Sequence, residues 1–287
     1  MNVITQQRLQ IRPLTRHIGA EIRGVDLKQR PDDETIARIY QSWLDHLVLV
    51  FPDQDLSQED LLRVTGYFGE PGNLSRPAKY HPPGFTRMLP GIMLISNIRE
   101  NGEPIGALPD GEMMFHHDMI HQEVPSKATL LYSVEIPSSG GNTLFASGYA
   151  AYDTLDAAIR SKAEGRRALH HYNYGMTQRS GDHGVAAFNE CVHPVFRTHE
   201  ETGLKAVYVN RLMTVRIEDL DATESDVLLN AIFDHAEKPE FVYEHVWRKG
   251  DLLLWDNRCS SHARTDFPAQ DRRLMLRTTV RGTTRPH

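Results

Sequence analysis

The chain is poor in the features that mark specialised protein classes. It has two cysteines, Cys191 and Cys259, in 287 residues. They form no Cys-x-x-Cys pair and are too few for a disulfide framework, so a reducing compartment, the cytoplasm, is expected. No stretch approaches the roughly 20 apolar residues of a membrane span, and Met1 to Pro13 has no charged segment leading into an apolar run. Neither a membrane anchor nor an export signal is expected. Positive charge is not in excess either: the formal net charge of -6 offers no footprint for nucleic acid or an anionic membrane surface. Repeats, coiled-coil heptads and low-complexity tracts are absent from the sequence. So are the Gly-rich first turn and the regular strand-helix alternation of a doubly wound α/β fold.

What is present is ordinary globular usage, 40% hydrophobic and 24% charged, which argues for one domain over residues 1–287. Residues 8–27 alternate loosely around Gly19 and Gly24, as short strands do. Pro31-Asp32-Asp33 starts a helix carrying Ile36, Ile39, Tyr40, Trp43, Leu44 and Leu47 on one face. Leu47 to Phe51 reads as a buried strand. Ser57 with Asp60 resembles a capping box opening a second helix. The prolines spread from Pro71 to Pro109 leave only Ile92 to Ile98 apolar enough for a strand, so residues 71–114 read as a lid or insertion next to the active site. Further strands are expected over Ala128 to Ile136, Thr143 to Ala146, Leu169 to Tyr174, Phe241 to Trp247, Leu252 to Trp255 and Leu274 to Arg281. A hairpin is expected from Val192 to Thr198 and Lys205 to Val209, and helices from Ala150 to Ala163 and after Thr223, with Asp226 completing its cap. Strands dominate, so the fold class is mainly β with added helices, α+β, with a jelly-roll core and outer helices.

One stretch asks for a distant partner. If Phe115-His116-His117-Asp118 is a strand, alternation puts His116 and Asp118 on one face and His117 on the other. Two such ligands with one remote histidine bind iron(II) facially and leave positions open for chemistry. A lone histidine is more often structural, and His-x-Asp alone is a weak signal. A second pattern supports it: in a strand Leu274 to Arg281, Arg273, Met275, Arg277 and Thr279 share a face. Arginines pointing into a barrel need anions, and the guanidinium fork suits carboxylates. The bland alternative is a solvent-facing surface.

The ordered set His116-x-Asp118, Gly140-Gly141-Asn142-Thr143-Leu144-Phe145-Ala146, His193-Pro194-Val195-Phe196-Arg197-Thr198-His199, Trp255-Asp256-Asn257-Arg258 leading to His262, and Arg272-Arg273-Leu274-Met275-Leu276-Arg277 resembles one family. It is the taurine dioxygenase and 2,4-dichlorophenoxyacetate dioxygenase family of iron(II)- and 2-oxoglutarate-dependent oxygenases. Ile18 to Leu27 and Phe68-Gly69-Glu70 are similar to it as well. The resemblance implies a double-stranded β-helix with Fe(II) held by His116, Asp118 and His262. It also implies that Arg273 and Thr143 bind the cosubstrate 2-oxoglutarate, and that Arg277 pairs with an anionic group on the prime substrate. The implied reaction consumes O2, releases succinate and CO2, and hydroxylates an unactivated C–H bond of a small anionic substrate. Halogenation, which needs the carboxylate of Asp118 absent, is disfavoured. A homo-oligomer, dimer or tetramer, is expected.

The departures bear on substrate. Pro71-Gly72-Asn73-Leu74 has no counterpart to the histidine with which taurine dioxygenase meets the sulfonate, and Glu112-Met113-Met114-Phe115 lacks that enzyme's asparagine-rich approach. Taurine is therefore a poor first expectation. The Met113, Met114 and Phe115 cluster suits core packing or an apolar pocket for an aryl or alkyl carboxylate. His117 and His121 could touch substrate, but structural or solvent-exposed places are the expectation for both. Other classes that fit a His-Asp-His set are a metal- and ligand-binding module without turnover and a zinc hydrolase; the arginine spacing gives the hydrolase no support.

Overall fold

The run Leu252-Leu253-Leu254-Trp255 has no polar face to give to solvent, and the fold buries it on both sides. Its strand, Leu252–Asp256, is the middle member of a seven-stranded sheet ordered Gln10–Pro13, Ala20–Arg23, Val48–Phe51, Leu252–Asp256, Ala128–Glu135, Leu274–Val280, Met93–Ser96. Neighbours are antiparallel except Ala20–Arg23 beside Val48–Phe51. Leu252 and Leu254 face a helical layer and pack with Ile39 and Trp43 of helix Asp33–His46 and with Leu61 and Val64 of helix Gln58–Gly66. Leu253 and Trp255 face the opposite way, toward Phe145 of a second sheet. Each of the four is 2% exposed or less, and burying a side chain of that size contributes about 1.5–3 kcal/mol.

The second sheet is four-stranded, ordered Val242–His245, Thr143–Ser147, Ser260–Arg264, Met113–His116. Its inner face closes the sandwich, and the expected jelly-roll core with outer helices is the fold that forms. The structure is a computed structural model and describes residues 8–72, 87–108, 111–172, 175–178 and 189–287. Among these, no helix is long and apolar enough to cross a membrane.

Local chemistry sets most element ends where the sequence puts them. The Asp32 carboxylate accepts from the Thr35 amide at 2.7 Å, and Ser57 and Asp60 form the reciprocal capping box at 3.1 Å each way. Three expectations are corrected. The helix expected over Ala150 to Ala163 is two, Gly148–Thr154 and Ala157–Ala163, because the Asp156 side chain accepts from the Ala158 and Ile159 amides and starts a new helix. The last helix, Ala222–Ala236, is capped by Asp221 rather than opened at Thr223. The strand Val192 to Thr198 splits at Val195: Glu190–Pro194 pairs with Arg167–His171, and Phe196–Thr198 forms the hairpin with Lys205–Val207. Within residues 71–114, Met93–Ser96 is an edge strand of the large sheet and Arg99–Glu100 pairs with Glu103–Pro104, while 73–86 and 109–110 lie outside the described residues. Tyr174, at the end of the strand expected from Leu169, also lies outside them.

Candidate metal centre

The centre is built on one cross-strand pair. Strands Met113–His116 and Ser260–Arg264 run antiparallel with His116 directly opposite His262, which sets the two imidazoles 4.0 Å apart between ring centroids. His116 is the last residue of its strand, and the chain turns there, with Met119 in the left-handed region at φ 62°. Asp118 therefore reaches the site from a turn and not by strand alternation. The convergence is the expected one, with donor atoms of His116, Asp118 and His262 within 4.8 Å of one another. All three side chains are buried.

Each donor is prepared for a cation. Nδ1 of His116 lies 2.9 Å from the Met114 carbonyl, so it carries the proton and Nε2 is left as the ligand atom. Burial holds both His116 and His262 below the ordinary histidine range, and both are neutral at pH 7. Burial alone would push Asp118 upward, but Arg277, His262 and His116 outweigh it and the carboxyl is held well below its usual range. Arg277 Nη2 contacts Oδ1 at 2.7 Å, and the Thr129 hydroxyl donates to Oδ2 at 2.7 Å. Two neutral imidazoles and an ionised carboxylate are the deprotonated set that a divalent metal requires, and the nitrogen and oxygen donors suit Fe(II).

A buried cation lies on the same sandwich. Arg273 is 1% exposed, and its Nε and Nη1 have no hydrogen-bond partner among the described residues. Burial, then the charge of Arg264, pushes its pKa down to about 9. Its backbone amide is pinned to Asn97 Oδ1 at 2.9 Å. Arg273 precedes the strand Leu274–Val280, and the register shifts between Leu274 and Met275. The extra residue is Val134 of the neighbouring strand, and against Met93–Ser96 the register of Leu274 to Arg277 is continuous, so Leu274 and Leu276 face the helical layer while Met275 faces the second sheet. Arg277 meets the Asp118 carboxylate. Thr143 is buried, accepts from Trp247 Nε1 at 3.0 Å, and keeps its own hydroxyl proton for another acceptor. Strand pairing sets Thr143 opposite Arg264. Arg264 was not among the expected site residues; its place two residues after His262 on one strand is the signal that finds it.

A second buried cluster, His199, Asp256 and Cys259, also brings possible ligand atoms within 4.8 Å. The His199 and Asp256 atoms are already used. His199 Nε2 meets Asp256 Oδ2 at 3.1 Å, and its Nδ1 accepts from the Glu201 and Thr202 amides at 3.2 Å. Asp256 takes Arg258 Nε at 2.8 Å and Nη2 at 2.6 Å. This is an ion-pair network fixing the turn that leads into the His262 strand. His117 and His121 are buried rather than exposed. His117 faces Asn210 at 3.2 Å and Tyr208, away from the three ligands.

Comparison with known proteins decides the family. Residues 10–279 match the model of the taurine catabolism dioxygenase TauD, TfdA family. The chain belongs to that family. An (S)-phenoxypropionate/alpha-ketoglutarate-dioxygenase of Sphingobium herbicidovorans is 30% identical over 95% of this chain and 94% of its own. Pentalenolactone F synthase of Streptomyces avermitilis is 33% identical over 90% and 89%. The crystal structure of AAD-2 in complex with Mn(II) and N-oxalylglycine superposes with a TM-score of 0.79 at 27% identity, covering 98% of this chain and 100% of that one. The protein is an alpha-ketoglutarate-dependent (2-oxoglutarate-dependent) dioxygenase using Fe(II), 2-oxoglutarate and O2, and its His-Asp-His set fits that metal.

Proposed function

We propose that the protein hydroxylates an unactivated C–H bond of a small organic anion, coupled to conversion of 2-oxoglutarate to succinate and CO2. The observation that carries this is a neutral, neutral, anionic donor triad on the same sandwich as a buried arginine whose Nε and Nη1 have no partner among the described residues. His116, Asp118 and His262 would hold Fe(II), which with 2-oxoglutarate and O2 supplies an oxidant strong enough for such a bond. Arg273 would grip the distal carboxylate of 2-oxoglutarate, with the Thr143 hydroxyl donating to the same cosubstrate. Burial of all three ligand side chains excludes bulk water from the reacting centre. The two free cysteines, Cys191 and Cys259, suit a cytoplasmic enzyme.

Arg277 would orient the prime substrate through its anionic group. It stands against Asp118 and is about one-fifth exposed, with a side-chain exposure of 19%, so it borders both ligand and substrate space. Met113 and Met114 are half-buried on the strand that ends at His116, and apolar side chains there favour an aryl or alkyl carboxylate over taurine. The name of the phenoxypropionate relative supports that class. Arg277→Ala is expected to raise KM for the substrate about tenfold or more, the loss of one charge-assisted contact. Metal affinity should hold or rise, because Asp118 loses a competing cation. A screen of succinate release over aryloxyalkanoates, alkyl sulfate esters, sulfonates and amino-acid derivatives tests the class; release stimulated by none of these anions would overturn it.

The cosubstrate role of Arg273 carries a pH signature. Its proton is held with a pKa of about 9 before any anion binds. An anion favours the charged form, so KM for 2-oxoglutarate should be flat below about pH 9 and rise by up to about tenfold per pH unit above it. A flat profile from pH 7 to 10 would contradict the assignment.

A further inference from the structure

Three fully buried polar side chains connect one metal ligand to the packing under another. Trp255 Nε1 donates to Asn257 Oδ1 at 2.9 Å, Asn257 Nδ2 donates to Thr129 Oγ1 at 2.9 Å, and Thr129 Oγ1 donates to Asp118 Oδ2 at 2.7 Å. Trp255 and Thr129 are paired across neighbouring strands of the large sheet, and the Trp255 ring packs 4.8 Å from the His262 ring. Thr129, Asn257 and Trp255 are all 2% exposed or less.

We infer that Trp255, Asn257 and Thr129 form a one-way hydrogen-bond relay that orients the Asp118 carboxylate for the metal, which makes Thr129 and Asn257 positioning residues. The inference rests on the proposed metal centre. Its direction follows from chemistry at both ends. An indole N–H only donates, so the Asn257 amide must present its oxygen to Trp255 and its NH2 to Thr129. An ionised carboxylate only accepts, so the single hydroxyl proton of Thr129 must go to Asp118. No member can reverse without leaving a buried donor or acceptor unpaired, which costs about 1–3 kcal/mol. Asp118 therefore receives one fixed donor on each oxygen, Thr129 on Oδ2 and Arg277 on Oδ1. Rotation of the carboxylate about its Cβ–Cγ bond would break both contacts. A neutral donor such as the Thr129 hydroxyl orients a metal ligand without competing with the metal for it, unlike the Arg277 cation, and is worth about 10–100-fold in metal affinity.

Equilibrium binding of Mn(II), followed by the free-ion signal in electron paramagnetic resonance, tests this without turnover. Thr129→Val keeps the shape and removes the donor; the Mn(II) Kd should rise about 10–100-fold, and Thr129→Ser should restore it. Asn257→Asp offers no donor to Thr129 and competes for its proton, so it should raise the Kd as well. A purely structural role predicts a lower melting temperature with an unchanged Kd. An unchanged Kd in cooperatively unfolding Thr129→Val, or failure of Thr129→Ser to restore affinity, would overturn the relay. If Thr129→Val does not fold, an unchanged Kd in Asn257→Asp overturns it equally. Wild-type protein that binds no Mn(II), or binds it equally well as His262→Ala, would instead overturn the metal centre itself.

Discussion

Arg273→Met is expected to stabilise the protein in the absence of ligands while removing its use of 2-oxoglutarate. The guanidinium is buried, two of its nitrogens have no partner among the described residues, and the charge of Arg264 acts on it. A buried cation without a paired carboxylate is a cost to the folded state, and apolar replacement of buried charges commonly returns about 1–4 kcal/mol. Methionine has similar reach and fills irregular space. The cosubstrate would lose a forked charge-assisted contact. Two such hydrogen bonds at about 1.5–3 kcal/mol each correspond to roughly 10²–10⁴-fold in affinity. Thermal denaturation of metal-free protein and KM for 2-oxoglutarate check the two halves separately. A variant that loses stability and retains its cosubstrate affinity would show that Arg273 belongs to the scaffold.

The doubled histidine gives the second large effect. His116→Ala and His262→Ala should lose metal by well over the roughly 10–100-fold that an outer-shell partner costs, and turnover with it, while His117→Ala keeps the metal. The distinction comes from the backbone. His116 ends its strand opposite His262, whereas His117 points to Asn210 and Tyr208, where burial pushes its pKa down to about 3. Metal content of purified variants and binding isotherms decide it; equal losses in His116→Ala and His117→Ala would contradict the assignment.

The parts of the fold built on apolar periodicity were legible in the sequence. Helix Asp33–His46, the capping box at Ser57 and the strand Leu252–Asp256 follow from spacing and caps alone. The strand Ser260–Arg264 did not, because Ser260, Ser261, His262 and Arg264 replace the apolar alternation that betrays a strand. That strand carries a metal-binding candidate, and a site strand trades its hydrophobic pattern for chemistry. Asp118 reached the right place for a different reason from alternation, since the turn at Met119 carries it there. Thr129 read as an ordinary β-branched strand residue, and its contact with Asp118 depends on a pairing across strands that no local window contains. The break before Asp156 was hidden because alanine-rich flanks keep helical spacing on either side of the cap.

The most direct test is an anaerobic titration of metal-free protein with Fe(II) and 2-oxoglutarate, followed in the visible. A 2-oxo acid chelated to Fe(II) gives a metal-to-ligand charge-transfer band. The band should appear in wild type at one Fe(II) and one 2-oxoglutarate per chain, vanish in His262→Ala, and need far more 2-oxoglutarate in Arg273→Met. Wild-type protein that binds Fe(II) at His116, Asp118 and His262 yet never develops the band would contradict the account.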